Sequence, residues 1–481
     1  MANRTYDLRD WLAEIDKLGE LATVSGASPE LEIGAVTDLN AKHRGPALMF
    51  TDIPGYASGR VMSCSVARAP RLALALGLDP TLDDQGLIEA LQGRPAGWER
   101  AGDAFAPTYV DQGPVLETVL EEDDVDMTVY PAPRWHELDG GSYLGTGCAV
   151  ITDDPETGTL NVGTYRILVH DERSLGLFIE PIHHGAINIA KYHEQGRPAP
   201  VAVSFGHHPL LHLASSMSMR YGHSELDYAG AMQEKPVDVI RGSVTGLPIP
   251  ASSELAIEGF VAPDDLADEG PFGEFTGYYA GGRTARPVIR VKRLYQRPNP
   301  IVYGSLPAKP PFDHSYWRSV VQSSMLLDRL RTTGIPDVRA VWKFEAGSSS
   351  FFTVISIKQR YAGHVQQVAS IAAMAPESAA MGRYFVVVDE DVDVTDLEEV
   401  IWVMSTRTDP ATSIQFIRNA PTNPLDPMLE DHSGPWVGSR AIIDACRPFH
   451  RRATFASVVT VNDELAARVR GKWGAQLGWP A

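Results

Sequence analysis

Residues 147–180, GCAVITDDPETGTLNVGTYRILVHDERSLGLFIE, constrain the fold more than any other stretch of the chain. They read as strand, acidic turn, strand, turn and strand, and they are rich in Val, Ile, Thr and Tyr. Short turns between such segments favour antiparallel pairing, so we predict an antiparallel meander. The stretches at 254–262 and 286–297 continue the β pattern. A compact β-barrel with inserted helices therefore fits residues 106–315.

The two ends of the chain carry a different pattern, and 481 residues are more than one core usually holds, which predicts two or three domains. Asp7, a typical N-cap residue, precedes apolar residues at helical spacing, and two strand-like segments follow them. Residues 1–105 are therefore predicted to form a small α/β unit. Strand and helix patterns alternate through residues 316–481, which predicts a further α/β domain. Its terminal helix at 464–478 could pack on the body or on a second subunit.

Charge and cysteine content exclude several classes of protein. A net charge of −19 argues against nucleic acid or an anionic membrane as the main partner. No run of about 18 apolar residues is present, and the first 21 residues lack the pattern of a signal peptide. Cys64, Cys148 and Cys446 are far apart and form no CxxC pair, which fits a reducing cytoplasm. We expect a cytoplasmic protein without a nucleic-acid or membrane partner.

Two carboxylates bracket a Gly-Pro-Phe-Gly turn in the segment DEGPFGEFTGYY at 268–279. Glu274 lies five positions after Glu269, which is not a strand repeat, and the Gly and Pro residues argue against a helix. Such a turn could fold both acids toward one cleft, or it could be a surface loop with two solvated acids.

Three other stretches carry residues suited to chemistry. NVGTYR places Asn161 and Arg166 on a predicted strand, where their odd offset puts them on opposite faces unless a bulge intervenes. His183 and His184 stand at the start of a predicted helix. They could be metal ligands, or they could cap the helix or pack in the core. The segment 213–230 combines small residues, methionines and Glu225, which suits a hard cation or a helix with Met in the core. GxGxxG, Walker and GxSxG motifs are absent.

These stretches occur together, and in the same order, in one known family. With NVGTYR, PIHH, ASSM, SELDYAGA and EGPFGE, the chain resembles the UbiD-like decarboxylases, which use prenylated FMN. The resemblance implies an α/β (α+β) protein with three parts. They are an N-terminal α/β unit at 1–105, a central split β-barrel that binds prenylated FMN at 106–315, and a C-terminal α/β oligomerisation domain at 316–481.

The resemblance also implies two cation sites beside the flavin. Asn161, His183 and Glu225 look like the family's ligands for a divalent metal, usually Mn²⁺, which would bridge the protein to the flavin phosphate. A K⁺ site near ASSM would use backbone carbonyls and a serine, and it corresponds here to Ala214, Ser215 and Met217.

The catalytic set implied by the resemblance is Arg166, Glu269 and Glu274. In that assignment Arg166 orients the substrate carboxylate and pairs with Glu269, while Glu274 donates the proton that replaces CO2. Arg440 is assigned to the flavin phosphate. The cofactor-binding residues that the resemblance implies are therefore Asn161, Arg166, Ser215, Met217, Glu225 and Arg440.

Two features depart from the family pattern. Some members carry Gln immediately before the metal histidine, where it touches the flavin, and this chain has Ile182. His184 directly follows His183, so the metal ligand could be either histidine if the register slips.

The substrate is less determined than the reaction. SLPAKPPFDHSYW at 305–317 is predicted to line the far wall of the pocket, where His314 could bind a ring hydroxyl or N–H group. We expect reversible decarboxylation, with loss of CO2, of an aromatic or heteroaromatic acid, a class that includes α,β-unsaturated acids. A flavin prenyltransferase would supply the cofactor, and a homodimer or larger homo-oligomer is expected. A metal-dependent hydrolase and a non-catalytic flavin carrier are the alternatives.

Overall fold

The computed structural model describes residues 6–279, 281–379, 381–430 and 434–479. The first five residues of the segment tested for a signal peptide lie outside these ranges. The described α-helices are α1 (Leu8–Lys17), α2 (Glu32–Lys42), α3 (Ala69–Ala75), α4 (Asp84–Ala90), α5 (Arg94–Ala101), α6 (His184–Glu194), α7 (Pro209–Ser215), α8 (Glu225–Gln233), α9 (Asp313–Thr332), α10 (His364–Met374), α11 (Pro376–Ala379), α12 (Leu397–Arg407) and α13 (Asp463–Leu477).

The described strands fall into four sheets. They are β1 (Leu21–Ser25), β2 (Ala47–Thr51), β3 (Arg60–Ser63), β4 (Thr108–Tyr109), β5 (Thr118–Glu121), β6 (Tyr143–Gly145), β7 (Ala149–Asp153), β8 (Leu160–Gly163), β9 (Ile167–Val169), β10 (Ser174–Leu177), β11 (Ala199–Ser204), β12 (Asp238–Arg241), β13 (Pro248–Pro250), β14 (Leu255–Glu269), β15 (Thr284–Gln296), β16 (Ile301–Tyr303), β17 (Val338–Lys343), β18 (Phe352–Ile357), β19 (Tyr384–Asp389), β20 (Ile414–Pro421) and β21 (Val437–Asp444).

The N-terminal sheet has the order β1-β2-β3-β16. Helix α1 begins as predicted, because the Asp7 carboxylate caps it by accepting a hydrogen bond from the Arg9 N–H at 2.7 Å. Strand β16 comes from residues 301–303 and pairs in parallel with β3. The chain thus returns to the N-terminal sheet after it has completed the central one. The domain limits at 105 and 315 stay predictions.

The central sheet has nine strands in the order β6-β9-β10-β15-β14-β11-β7-β8, with β5 paired to β15, and it curls into a half-barrel. All its pairings are antiparallel. The predicted fold class, α/β with a split β-barrel at the centre, is confirmed. The long hairpin of β14 and β15 forms the middle of the sheet and ends at Glu269. It therefore delivers the Gly-Pro turn to one end of the barrel.

The meander predicted for residues 147–180 is partly wrong. Strand β7 pairs with β8, and β9 pairs with β10, but β8 and β9 are not neighbours in the sheet. The chain leaves β8 at Gly163 and starts β9 at Ile167, so NVGTYR is not one strand. Residues 164–166 lie between the strands, which removes the alternation that put Asn161 and Arg166 on opposite faces.

The C-terminal sheet has the order β17-β18-β19-β21-β20 and is preceded in the chain by the 20-residue helix α9, which follows β16. The alternation of strand and helix predicted for this part of the chain is confirmed by β18, α10, β19 and α12. One apolar core runs from helices α7 and α8 through α9 into this sheet, so α9 fixes the C-terminal sheet against the barrel. A three-stranded sheet, β13-β12-β4, lies to the side.

The terminal helix α13 forms where it was predicted but buries only Gly474. Trp473 and Leu477 on this helix are 42% and 56% exposed. The three cysteines are buried and none forms a disulfide. Across the described ranges, no helix combines the length and the apolar character needed to cross a bilayer.

Candidate active site

Glu269 is the last residue of β14, and its side chain is 1% exposed. Gly270 follows with φ of 84°, a backbone conformation that a glycine adopts without strain. The Cβ of any other residue at Gly140 would lie 2.1 Å from the Gly270 carbonyl oxygen, so the turn packs closely against a second loop. The turn then brings Glu274 back beside the end of the strand. Glu274 is held there by its own N–H, which donates to the Tyr278 carbonyl at 2.9 Å.

Arg166 connects the two acids. Its Nε donates to Glu269 Oε1 at 2.8 Å and its Nη2 donates to Glu269 Oε2 at 2.9 Å, which is a bidentate pair. Its Nη1 donates to Glu274 Oε1 at 2.6 Å. The guanidinium carbon lies 3.6 Å from the centre of the Phe178 ring and 5.3 Å from that of Phe272. Aromatic faces and carboxylates together fix the guanidinium in one position.

The two glutamates differ in their electrostatic environment. Burial raises the pKa of Glu274 to about 7, helped by Glu180 and Glu269, although Arg166 acts in the opposite direction. Burial alone would lower the pKa of Arg166, but the hydrogen bonds and charges of Glu269 and Glu274 outweigh it, so the pKa is raised and the guanidinium stays charged. One cation thus serves two acids, and Glu274 is the acid that can hold a proton near neutral pH.

Asn161, on β8, contacts Glu225, the first residue of α8. Asn161 Nδ2 donates to Glu225 Oε1 at 3.1 Å, and the Val162 N–H donates to Glu225 Oε2 at 2.6 Å. The Tyr165 hydroxyl donates to Asn161 Oδ1 at 3.1 Å, and the centres of the Tyr165 and His183 rings are 5.5 Å apart. The residues predicted as divalent-metal ligands therefore gather around Tyr165.

The donor set in this cluster fits a divalent cation. Glu225 is 3% exposed, and burial raises its pKa to about 8 even though the Val162 N–H lowers it. Within the part of the chain that the structure describes, no Lys or Arg forms an ion pair with Glu225, and no hydrogen bond occupies the His183 imidazole. A bound cation would offset the buried charge of Glu225. The described residues contain no group of three or more His, Cys, Asp or Glu side chains that could together hold a metal ion.

Residues 214–217 lie where α7 ends. The Ser215 hydroxyl and the Thr164 hydroxyl share a hydrogen bond of 2.8 Å, and the Thr164 N–H donates to the Ser215 carbonyl at 3.1 Å. The Met217 N–H donates to the Ala214 carbonyl at 3.0 Å. Thr164 comes directly before Tyr165 and Arg166. The segment predicted to hold K⁺ is therefore tied to the connection that carries the rest of the site.

The structure does not group the last two assigned residues with this set. Arg440 lies on β21 and is 1% exposed, and its Nη2 donates to the Ala379 and Pro421 carbonyls at 2.9 and 3.0 Å. His314 is the second residue of α9, and its ring lies 5.7 Å from that of His212 and 5.1 Å from that of Trp317. His184, the alternative metal ligand, packs edge-on against Tyr221 with ring centres 5.1 Å apart.

Sequence reasoning missed Tyr143 and Phe178. The Tyr143 hydroxyl donates to Glu269 Oε1 at 2.7 Å, and Phe178 lies under the guanidinium of Arg166. Tyr143 is 126 residues from Glu269 in the chain, so no local spacing could connect them. Phe178 is 12 residues after Arg166 and reads as an ordinary β-strand aromatic residue.

Comparison with known proteins gives a family match over most of the chain. Residues 12–91, 108–310 and 315–445 match the N-terminal, Rift-related and C-terminal domains of 3-octaprenyl-4-hydroxybenzoate carboxy-lyase, UbiD. The chain is 32% identical to a phenolic acid decarboxylase of Streptomyces sp. (strain D7), and the alignment covers 92% of each chain. It is 30% identical to the pyrrole-2-carboxylic acid decarboxylase of Pseudomonas aeruginosa, with 98% of each chain covered.

Solved structures agree with these relatives. The UbiD-class enzyme HmfF from Pelotomaculum thermopropionicum, in complex with FMN, superposes with a TM-score of 0.84 at 28% identity, covering 96% of this chain and 100% of HmfF. An evolved dimeric form of HmfF in complex with prFMN superposes with a TM-score of 0.81 at 27% identity, covering 96% and 98% of the two chains.

Proposed function

The chain belongs to the UbiD family and is a carboxy-lyase, and from this premise we propose that it catalyses the reversible, non-oxidative decarboxylation of an aromatic or heteroaromatic acid with prenylated FMN. The observation that carries the proposal is the position of Arg166 between Glu269 and Glu274. That arrangement offers one fixed cation, one carboxylate paired with it and one acid whose pKa burial raises to about 7. A decarboxylase needs such a set to orient a carboxylate and to return a proton to carbon.

Prenylated FMN is proposed for this chain because HmfF binds FMN and prFMN and because the donor set around Glu225 fits a cation beside a phosphate. We assign Asn161, His183 and Glu225 to Mn²⁺. Ala214, Ser215 and Met217 are assigned to K⁺, whereas the contacts of Arg440 with backbone carbonyls and Met374 do not support its assignment to the flavin phosphate. When bound, the modified flavin supplies the electron sink for the pair left behind by CO2.

The protein's own contribution is to position groups and to transfer one proton. Arg166 keeps its charge and, with three of its five N–H groups used, has two left for a substrate carboxylate. Glu274 is the group that holds a proton and releases it, since its carboxyl is the one with the raised pKa. Phe178 and Phe272 keep water away from the guanidinium, which strengthens each of these contacts.

The proposed substrate class is supported by the relatives and by residues at the start of α9. The named relatives act on phenolic acids and on pyrrole-2-carboxylic acid, so a flat aromatic or heteroaromatic acid is proposed here. His314 lies beside Phe312 and Trp317, and burial lowers its pKa well below the usual value, so the ring is neutral. A neutral imidazole can both donate and accept a hydrogen bond, which suits a ring hydroxyl or a ring N–H.

We also propose a homodimer or larger homo-oligomer, with a flavin prenyltransferase as supplier of the cofactor and a cytoplasmic location. Among the described residues, more than half of the exposed large apolar side chains lie at residues 374–479, about a fifth of the chain. Leu465, Val469, Trp473 and Leu477 recur every four residues along α13 and form an apolar stripe on a helix that packs on little else. An apolar surface of this kind marks an interface.

A substrate panel tests the proposed function. The protein is produced with a flavin prenyltransferase and assayed for CO2 release from phenolic, pyrrole, indole and cinnamic acids. Turnover of at least one aromatic or heteroaromatic acid, absent from protein made without the prenyltransferase, is expected. Full activity without the prenyltransferase, or hydrolysis of an ester or amide in place of CO2 release, would contradict the proposal. Bound flavin without CO2 release from any acid would indicate a flavin carrier.

A further inference from the structure

Tyr143 is a fully buried residue on β6 whose hydroxyl reaches the candidate active site. Its relative exposure is 0%, and its ring lies 4.2 Å from that of Phe272, centre to centre. Strand β6 pairs with β9, and Tyr143 lies opposite Leu168, two residues after Arg166. Backbone pairing and ring packing together hold the phenol beside the guanidinium.

Glu269 accepts three hydrogen bonds from this neighbourhood. Two come from Arg166, and the third comes from the Tyr143 hydroxyl at 2.7 Å, to the same Oε1 that accepts Arg166 Nε. A phenol beside an atom that already accepts a guanidinium N–H acts as a donor there. Burial and the charge of Glu269 raise the pKa of Tyr143, so the phenol keeps its proton. Glu274, in contrast, accepts a single hydrogen bond from Arg166.

We propose that Tyr143 is a positioning residue that holds the Glu269 carboxylate against Arg166, so that Glu274 is the acid that transfers the proton. The inference deepens the proposed function and rests on it. Without the phenol, two similar carboxylates compete for one guanidinium, and either of them can take up the proton. The hydrogen bond from Tyr143 removes this ambiguity.

Several charged or titratable groups surround Glu269 from the elements packed against it. Arg166 precedes β9, Tyr143 lies on β6, and Glu274 belongs to the turn. His170 lies between β9 and β10. The charge of Glu269 acts to raise its pKa, but burial and the nearby arginines lower that pKa overall. Asp139, in the loop before β6, also contributes to the raised pKa of Tyr143 through its charge. Of these, Tyr143 is the group that can be altered without changing the charge of the site.

The chain offers a matched control for Tyr143. Tyr295 is 2% exposed, and its hydroxyl donates to Glu258 Oε2 at 2.6 Å, joining β15 to β14 within the same sheet. Tyr295→Phe removes a buried tyrosine–glutamate hydrogen bond of the same kind, away from Arg166. If the hydrogen bond of Tyr143 only stabilises the fold, Tyr143→Phe and Tyr295→Phe should therefore lose similar amounts of activity and stability.

The first test is the pH dependence of kcat for the flavin-loaded enzyme. Tyr143→Phe should lower kcat about 10- to 100-fold and move the acid limb of the profile up by about one to two pH units, the size expected when a charged acceptor loses one hydrogen bond. Bound flavin should stay at the wild-type level. Tyr295→Phe should leave the acid limb in place. An acid limb that does not move in Tyr143→Phe, or that moves equally in both variants, overturns the proposal.

The second test does not depend on catalysis. Infrared spectra of the full-length, flavin-free protein, recorded across the acid pH range, report the C=O band of protonated buried carboxyls. Tyr143→Phe should show an additional carboxyl that protonates at a higher pH than in wild type, and adding Glu269→Gln should remove it. Identical titrations of wild type and Tyr143→Phe contradict the proposal. If the carboxyl band of Tyr143→Phe shifts as expected but the wild-type enzyme releases CO2 from no acid, the proposed function is contradicted while the role of Tyr143 stands.

A third variant covers the case in which Tyr143→Phe does not fold. Incorporation of 3,5-difluorotyrosine at position 143 keeps the ring and makes its hydroxyl a stronger donor. The acid limb and the infrared titration should then move to lower pH, opposite to the shift expected for phenylalanine. A shift to higher pH, or none, overturns the proposal.

Discussion

The guanidinium of Arg166 binds the carboxylate of Glu269 through two parallel hydrogen bonds of 2.8 and 2.9 Å, although the two residues are 103 positions apart in the chain. Glu269 is 1% exposed and Arg166 is 12% exposed. Removing either partner would leave the other charge buried and uncompensated, which is costly. The pair is therefore the fixed part of the site, and the neighbouring Glu274 is the acid that we propose to react.

Arg166→Lys should reduce decarboxylation by about 100-fold or more, because an ammonium cannot make the bidentate contact and reach Glu274 at the same time. Steady-state CO2 release measures it. Arg290→Lys is the matched control, since Arg290 makes a bidentate pair with Asp265 at an exposed site, at 2.7 Å for each bond. If both variants lost the same share of CO2 release, the effect would not be specific to the active-site arginine, and the role proposed for Arg166 would be contradicted.

The rate should fall as pH rises through the pKa of Glu274, which lies near 7. The proton donor must be protonated, burial raises its pKa, and the protonated fraction is therefore high below about pH 7 and is lost above it. A kcat profile measured from pH 5 to 9 checks this. A rate that keeps rising through pH 9 would mean that Glu274 acts as a base or not at all.

Glu225→Gln and His183→Ala should lose metal and flavin together, because the cation is proposed to connect the protein to the flavin phosphate. Loss of a ligand should weaken binding by about 10- to 100-fold or more. Flavin absorbance and elemental analysis of the purified protein measure both. His184→Ala is the control for register: if it loses flavin while His183→Ala keeps it, the ligand assignment is wrong by one residue.

The apolar stripe of α13 should join two copies of the chain. We expect a homodimer by light scattering at micromolar concentration, and Trp473→Glu should shift the mass toward the monomer because a buried charge opposes the contact. Lys472→Glu, next to it on the helix, is the charge control. A monomeric wild type, or a dimer unaffected by Trp473→Glu, would contradict the assignment of this surface.

Much of the fold could be predicted from the sequence, because β18, α10, β19 and α12 have strong local patterns of apolar residues. The break between β8 and β9 could not, since its residues have strand propensity and tertiary packing decides their conformation. The return of β16 to the N-terminal sheet likewise depends on contacts with residues more than 200 positions away.

The site shows the same division. A known motif pattern could identify Arg166 and Glu274, but their 108-residue separation becomes a 2.6 Å contact only through the pairing of the central sheet. Tyr143 has no motif of its own, and its role depends on a contact that only the folded chain makes. Arg440 shows the converse, because its motif suggested a phosphate ligand and its described hydrogen bonds go to backbone carbonyls and to Met374.

The most direct test of the central claim compares wild type, Glu274→Gln and Asp268→Asn, each purified with its flavin, for CO2 release and for exchange of the product's carbon-bound hydrogen in D2O. Asp268 is the neighbouring acid, 62% exposed and paired only with Arg283 at 3.2 Å among the described residues. We predict that Glu274→Gln keeps its flavin and loses both activities by about 10²- to 10⁴-fold, as expected for a general acid–base group. Asp268→Asn should stay close to wild type. Wild-type turnover by Glu274→Gln, with loss of activity in Asp268→Asn, would contradict the assignment of Glu274 as the proton donor.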